Sequence, residues 1–359
     1  MRILSLLNTH ESQYAGVAMR ILIEAVILLI ASSPLAAQPA TGFEQGDGVV
    51  RALAALERAH PDEALAILQP LAASDPKGKG IAHALGLVYY RTGKLVEAQH
   101  AFAAAAEQDP MDKESVQLEG LALYRLGQPA AAIPYLEQVR QWMPGANADA
   151  TYVLGLCYLN ARRYDDARAA FAAQYGEAAD SGGAYLLLAT MLRHANLPEL
   201  AAVQAKKALE LSPNIPLAHF MIGEVALFKS DIDQAISQLE AERRLNPDYA
   251  PVYDRLGDAY LRVDRTDEAQ QALMKAIALD TTLTGSFTKM GKLLLARQDT
   301  QTALLYLKHG EKMDPEDFAI HTLLSQAYHH IGRDDEAKRK SALASHIHSE
   351  NQLKLGPGQ

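Results

Sequence analysis

A basic side chain recurs one residue past an aromatic register in this chain: Arg91 follows Tyr90, Arg125 follows Tyr124, and His194 and Arg262 continue the series, with Asn160 and Phe228 interrupting it. A guanidinium beside a phenol ring is chemistry of recognition. The fork holds a carboxylate through two hydrogen bonds while the ring offers apolar contact. Leu87, Leu121, Tyr152, Leu156, Leu186 and Phe220 extend the apolar and aromatic set, and Glu224, Asp254 and Asp258 lie beside its later members. These residues form a candidate groove for a peptide. The same types also serve a plainer purpose, filling and capping helices, and the sequence leaves both uses open.

Bond-making chemistry has no such footprint. The sequence lacks a pair of histidines four apart around a glutamate, a phosphate-cradling glycine loop followed by lysine, and a Gly-x-Ser-x-Gly elbow. His329 and His330 fall at the opposite end of a helical pair from His346 and His348, which makes joint ligation of one metal awkward. The single cysteine, Cys157, rules out an intrachain disulfide and a thiolate metal cage, and its apolar surroundings suit a small core residue. Trp142, just before Met143-Pro144, reads as packing for a turn. The expectation is no catalytic residue, no metal and no cofactor; an enzyme or metal protein assembled from distant segments is a remote alternative.

The elements that position these residues must come from 359 residues that are 49% hydrophobic and 21% charged, the composition of a folded chain. A net charge of −9 without a basic block argues against nucleic acid as a main partner. No segment is apolar enough over enough length to be a transmembrane helix. Residues 19–38, MRILIEAVILLIASSPLAAQ, resemble a secretory signal: Arg20, then an apolar run, then small residues with cleavage after Ala37. The phrase MRIL stands at both Met1 and Met19, so Met19 is a candidate start and residues 1–37 a leader. Export is the expectation, to the periplasm if the source is Gram-negative.

One phrase repeats through the rest. A small residue recurs at Ala52, Gly86, Gly120, Gly155, Ala189, Gly223, Gly257, Gly291 and Ser325, in steps of 34 with one step of 35. An alanine follows each by twelve: Ala64, Ala98, Ala132, Ala167, Ala201, Ala235, Ala269, Ala303 and Ala337. Four residues later come Leu68, Phe102, Leu136, Phe171, Ala205, Leu239, Leu273, Leu307 and Ser341, and prolines 76, 110, 144, 213, 247 and 315 close most units. The spacing predicts nine helix-turn-helix hairpins, helix A then helix B. The closest approach of the two helices needs a small residue on each, with large residues to either side. Glycine inside a helix costs roughly 1 kcal/mol relative to alanine, so its recurrence points to contact geometry.

This pattern resembles the tetratricopeptide repeat (TPR) family, which writes Leu-Gly-x-x-Tyr, Ala-x-x-x-Phe and Pro over 34 residues. Leu154-Gly155 with Tyr158, Ala167 and Phe171 match it, as do Leu256-Gly257 with Tyr260, Ala269 and Leu273. The family's tryptophan is absent; Tyr185, Tyr253 and Phe287 hold its place in later units. The resemblance covers residues 45–349. It implies an all-α, right-handed superhelical solenoid with helix A lining the concave side, and a non-catalytic scaffold that binds a protein or peptide there. The Lys and Asn with which some members clamp a chaperone terminus are replaced by His83, Leu87, Gln117 and Leu121. A self-assembling structural array, a homo-oligomer, is the alternative, because the ends show no obvious long polar capping helix. The extra residue falls in the loop Pro144-Gly145-Ala146-Asn147, a looser joint is expected at 176–183, and residues 350–359 form a flexible tail.

Overall fold

The computed structural model describes residues 47–143 and 148–355. The predicted leader, the loop 144–147 and the last four residues of the tail lie outside them. Among the described residues there are eighteen helices and no strand. They are α1 (Asp47–Glu57), α2 (Pro61–Ser74), α3 (Ile81–Arg91), α4 (Leu95–Gln108), α5 (Lys113–Arg125), α6 (Pro129–Trp142), α7 (Ala148–Asn160), α8 (Tyr164–Tyr175) and α9 (Gly182–His194). There follow α10 (Pro198–Leu211), α11 (Ala218–Phe228), α12 (Ile232–Leu245), α13 (Ala250–Arg262), α14 (Thr266–Leu279), α15 (Thr284–Ala296), α16 (Thr300–Met313), α17 (Phe318–His330) and α18 (Asp334–Leu355). Odd-numbered helices are the A helices and even-numbered ones the B helices. The fold is an all-α repeat solenoid. It divides into two compact units at Leu192 and Arg193.

In the first unit each helix from α1 to α7 packs on the next, and in the second each from α10 to α17 does so; successive A helices also touch: α1, α3, α5 and α7 in the first unit, α11, α13, α15 and α17 in the second. The A helices therefore stand side by side as a wall. Each hairpin closes through one residue in the left-handed region, always seven past the small residue of helix A. The nine are Ala59, Gly93, Gly127, Arg162, Asn196, Ser230, Asp264, Gln298 and Gly332, with φ between 57° and 76°. This conformation ends helix A and turns the chain into helix B. Prolines 76, 110, 213, 247 and 315 each fall two residues past a B helix, where a missing N–H does no harm.

The recurrent glycine works differently from the expected meeting of two small residues. A Cβ added at Gly86 would stand 2.5 Å from Phe102, at Gly155 2.5 Å from Phe171, and at Gly257 2.6 Å from Leu273. The glycine is a socket for the large side chain four residues past the recurrent alanine, a knob over a hole. Phe102, Leu239, Leu273 and Leu307 are fully buried in these sockets. Where the register holds Ser325, its hydroxyl instead donates to the Ala337 carbonyl on helix B (2.8 Å).

The C-terminal end also departs from expectation. Helix α18 has 22 residues and runs through Leu355, well into the segment read as a tail. Ala337, Ala344 and Ile347 face its neighbour, while Lys338, Arg339, Ser345, His346 and Ser349 are exposed. A long, mostly polar capping helix is therefore present at this end. A solenoid needs such a face where stacking stops.

Candidate functional site

The A-helix wall of the first unit carries most of the predicted groove residues, at two depths. Tyr90, Leu121, Leu156 and Leu186 are buried in the packing, as is Phe220 in the second unit. No ligand can touch a side chain with 2–6% exposure, and the expectation that these five line an open groove is corrected. Burial of this kind is set by packing, which a 34-residue register does not reveal. Leu87, Tyr124 and Tyr152 are half-buried, with faces left to solvent, and Gln117 and Met191 join them. Tyr152 packs on Phe171 (5.7 Å between centroids) and its hydroxyl donates to Met191 Sδ (3.7 Å). Burial pushes the Tyr124 and Tyr152 phenols up to about 12, with Cys157 and Tyr152 adding to the effect at Tyr124. Burial likewise drives the Cys157 thiol up to about 12, so this cysteine is an inert core group.

The basic series acts within the fold. Arg91 donates from Nη1 to the Leu56 carbonyl (3.3 Å), and Arg262 from Nη1 to the Leu227 carbonyl (2.9 Å). Both reach back 35 residues to the last turn of the preceding A helix, where each carbonyl also accepts a turn N–H (Ala59 to Leu56 and Ser230 to Leu227, 3.1 Å each) and a cation is favoured. Arg262 also pairs with Asp258 (2.8 Å). Arg125 lies over the Tyr90 ring instead, 4.7 Å from its centroid, a cation–π contact. These arginines are staples between repeats, the plainer of the two uses open in the sequence. His194 is half-buried at the end of α9. Phe228 is 78% exposed at the end of α11, a large apolar surface for a residue with no packing duty.

Two polar clusters on the A helices were not read from the sequence as groups. In the first unit, His83 Nδ1 lies 2.8 Å from Ser115 Oγ, whose hydroxyl donates to Asp112 Oδ2 (2.6 Å). Burial raises the Asp112 pKa, but the hydrogen bonds from His83 and Ser115 outweigh it and hold the carboxyl at about 2. Burial lowers that of His83, and Asp112 and Glu114 more than compensate, leaving it raised. The trio contains the residue types of a nucleophilic triad in the wrong order. The aspartate, not the histidine, accepts the serine's hydrogen bond, and Ser115 is fully buried. Its work is to cap α5, where Asp112 also accepts from the Ser115 N–H (3.1 Å).

In the second unit Asp254 accepts from Lys289 Nζ at both oxygens (2.7 Å each), from Arg255 Nη1 (2.9 Å) and from Ser286 Oγ (2.6 Å). Arg255 Nε continues to Glu224 (2.9 Å). Burial raises the Asp254 pKa, but the charges of Lys289 and Arg255 prevail and keep it below its ordinary value. Three consecutive A helices are thereby laced by charge. Lys289 lies one repeat and one residue beyond Asp254, a spacing that hints at the contact.

On the B-helix side a clasp recurs. Tyr158 donates to Glu137 Oε1 (2.6 Å) beneath Arg163, and Tyr260 donates to Glu240 Oε1 (2.6 Å) beneath Arg265. Tyr328 lies beneath Arg333 in the same way. Each arginine also pairs three residues on, with Asp166, Glu268 or Glu336. Between α12 and α14, around the second clasp, lies a cleft of about 560 Å³.

Among the described residues no three His, Cys, Asp or Glu side chains converge as metal ligands. No described helix is long and apolar enough to cross a membrane. His329 pairs with Asp334 (3.0 Å), His346 with Glu350 (3.4 Å), and His348 packs on Phe318 (5.1 Å).

Comparison with known proteins agrees with this architecture. Three models of the tetratricopeptide repeat match: one over 123–192, one over 49–113, 83–146 and 288–340, and one over 250–282. A peroxisomal targeting signal receptor of Eremothecium gossypii is 27% identical over 203 residues, 56% of this chain and 35% of the receptor. The chain thus spans about a third of that relative's length. Among solved structures, MamA is 22% identical, covering 46% of this chain and 96% of its own, with a TM-score of 0.41. Pseudomonas aeruginosa pilF is 19% identical, covering 56% and 97%, with a TM-score of 0.46. YrrB, described as a TPR protein with an unusual peptide-binding site, is 24% identical, covering 53% and 97%, with a TM-score of 0.33. Matched over most of its described length by models of one and the same repeat, the chain is built of tetratricopeptide repeats.

Proposed function

We propose that the protein is a non-catalytic scaffold that holds a partner protein segment on its A-helix wall. The observation that carries this reading is the division of labour on the first unit's wall. The arginines and the deeper leucines are engaged in packing, whereas Leu87, Tyr124 and Tyr152 keep accessible apolar faces on adjacent A helices. Rigid aromatic rings on a preformed surface bind at low entropic cost and are typical anchors of protein interfaces. The partner is an apolar or aromatic-bearing segment, since the cations first suggested as anchors are used internally. Peptide binding in YrrB, a protein of the same repeat, is in keeping with this. Replacing Tyr124 and Tyr152 by Ala tests it through affinity capture from the native cell with quantitative mass spectrometry. Loss of the parent's specific partners, with helical content unchanged, supports the reading; an unaltered partner set overturns it.

The reading includes export, for which residues 19–38 are the support. Amino-terminal sequencing of the mature protein tests that part: a terminus near Gln38 supports it, and one at Met1 or Arg2 refutes it.

A further inference from the structure

The cleft between α12 and α14 faces away from the A-helix wall and has its own chemistry. Its floor is Tyr253 and Tyr260 of α13; its rim carries Arg243, Arg265 and Lys275 against Glu240 and Glu268. At about 560 Å³ it is of the size that holds a small ligand or a few residues of a chain.

The clasp accounts for only part of this lining. Arg243 pairs with Glu240 (2.5 Å) and Arg265 with Glu268 (2.6 Å), and Tyr260 donates to Glu240. The first unit writes the same clasp as Glu137, Arg140, Tyr158, Arg163 and Asp166, in the same order and nearly the same spacing. That element is therefore structural. What the second unit adds is Tyr253 where the first has Thr151, and Lys275 where it has Ala173. Among the described residues Lys275 has no hydrogen bond or ion pair, and it is exposed at the rim. The Tyr253 hydroxyl is committed to the Pro247 carbonyl (2.8 Å), which fixes its ring as a flat apolar floor.

From this we infer that the cleft is a second binding site, separate from the A-helix wall, for a carboxylate side chain of an acidic peptide. Lys275 supplies the ammonium, and the outward edges of Arg243 and Arg265 supply further N–H donors. The charge balance selects the ligand. The rim carries one positive charge more than it carries negative, which a single carboxylate neutralises. A doubly charged phosphate would meet Glu240 and Glu268 with a net excess of negative charge. The aromatic floor takes the aliphatic stem of a glutamate or a neighbouring leucine.

The test titrates the full chain calorimetrically with the singly charged blocked peptide acetyl-Ala-Glu-Leu-Ala-Ala-amide, its Gln-for-Glu counterpart, and inorganic phosphate. The acidic peptide binds, and its affinity falls as salt rises. Lys275→Ala weakens it about fivefold, as expected of a solvent-screened charged contact, while Lys275→Arg stays within about twofold of the parent. The Gln peptide binds at least about fivefold more weakly, and Arg140→Ala, in the first unit's clasp, leaves binding unchanged. No binding of the acidic peptide at millimolar concentration overturns the inference, as does equal binding of the Gln peptide or an unaffected Lys275→Ala. Displacement of the peptide by equimolar phosphate overturns the carboxylate assignment. Since Lys275 lies on a B helix, Tyr124→Ala/Tyr152→Ala serves as a further control, and failure here leaves the reading of the A-helix wall untouched.

Discussion

Replacing Gly257 by alanine sets two known effects against each other. Alanine in a helix interior is worth about 1 kcal/mol over glycine. The new Cβ, however, would stand 2.6 Å from both Cγ and Cδ2 of Leu273, where ordinary contact begins at 3.4 Å. Leu273 is fully buried, so it has no open space to swing into. Forcing a methyl into such a core costs ~1–3 kcal/mol, and a deficit of about 0.8 Å belongs in the upper part of that range. The expected balance is a net loss of about 1–2 kcal/mol. Leu273→Ala alone should cost ~2–5 kcal/mol. In the double variant the added methyl occupies part of the vacated space, so the total should fall short of the sum by ~1–3 kcal/mol. The chain already writes this combination once, with Ala189 and Ala205 at the two registers. Gly285→Ala is the control, because its Cβ would meet nothing closer than Lys289 Nζ at 3.6 Å, and it should gain up to about 1 kcal/mol. Urea unfolding followed by far-ultraviolet circular dichroism measures all four, with midpoints compared at unchanged m. If Gly257→Ala is as stabilising as Gly285→Ala, the socket argument is wrong.

Gln298→Gly should stabilise the α15–α16 hairpin by ~0.5–1 kcal/mol, because a φ of 64° is strained for glutamine and relaxed for glycine; urea midpoints check it. Arg262→Ala should cost about 1 kcal/mol by removing one of the donors to the Leu227 carbonyl, which keeps the Ser230 N–H (3.1 Å), and by unpairing Asp258, and should increase amide exchange in the last turn of α11. The His83–Asp112 pair gives a signed pH dependence. Asp112, with its pKa lowered to about 2, contributes stability above its ordinary value of 3.8 that is lost as pH falls toward 2. His83, with its pKa raised, contributes stability below 6.5 that is lost as pH rises through its folded value. The pair is therefore strongest between about pH 4 and 6, and Asp112→Asn should flatten both limbs, removing about 1 kcal/mol at pH 5 after allowance for the half-open site. Melting temperature against pH, parent beside variant, reads this out.

The hairpins were legible because they repeat. Nine alanines at one spacing fix helix B, and the small residue twelve before each fixes helix A. Depth was not legible. Tyr90 and Tyr124 occupy one register, yet the first is buried and the second half-exposed, because Arg125 covers Tyr90. Arg91 and Arg262 read equally well as anchors or staples, since the carbonyls they reach have no signature in the side-chain alphabet. The left-handed turn residue was hidden for a related reason. Gly93 and Gly127 announce it, whereas Arg162, Ser230 and Gln298 adopt the same φ where the surrounding helices impose it. The Asp254–Lys289 lacing and the Lys275 rim join residues of different repeats or faces, and neighbour relations of that kind are made by packing.

The socket and its knob always belong to the same hairpin: Gly86 with Phe102, Gly155 with Phe171, Gly257 with Leu273. Genetic exchange between copies of the repeat is consequently not neutral as to where it cuts. A crossover in the segment from one B helix to the next A helix moves each pair as a package, and any donor unit arrives with its interior already matched. A crossover in the left-handed turn joins one copy's cup to another's plug, and a glycine-phenylalanine unit recombined with an alanine-alanine unit yields either a void or a collision. Shuffled libraries of this chain should therefore recover folded progeny mainly from the first class of junction.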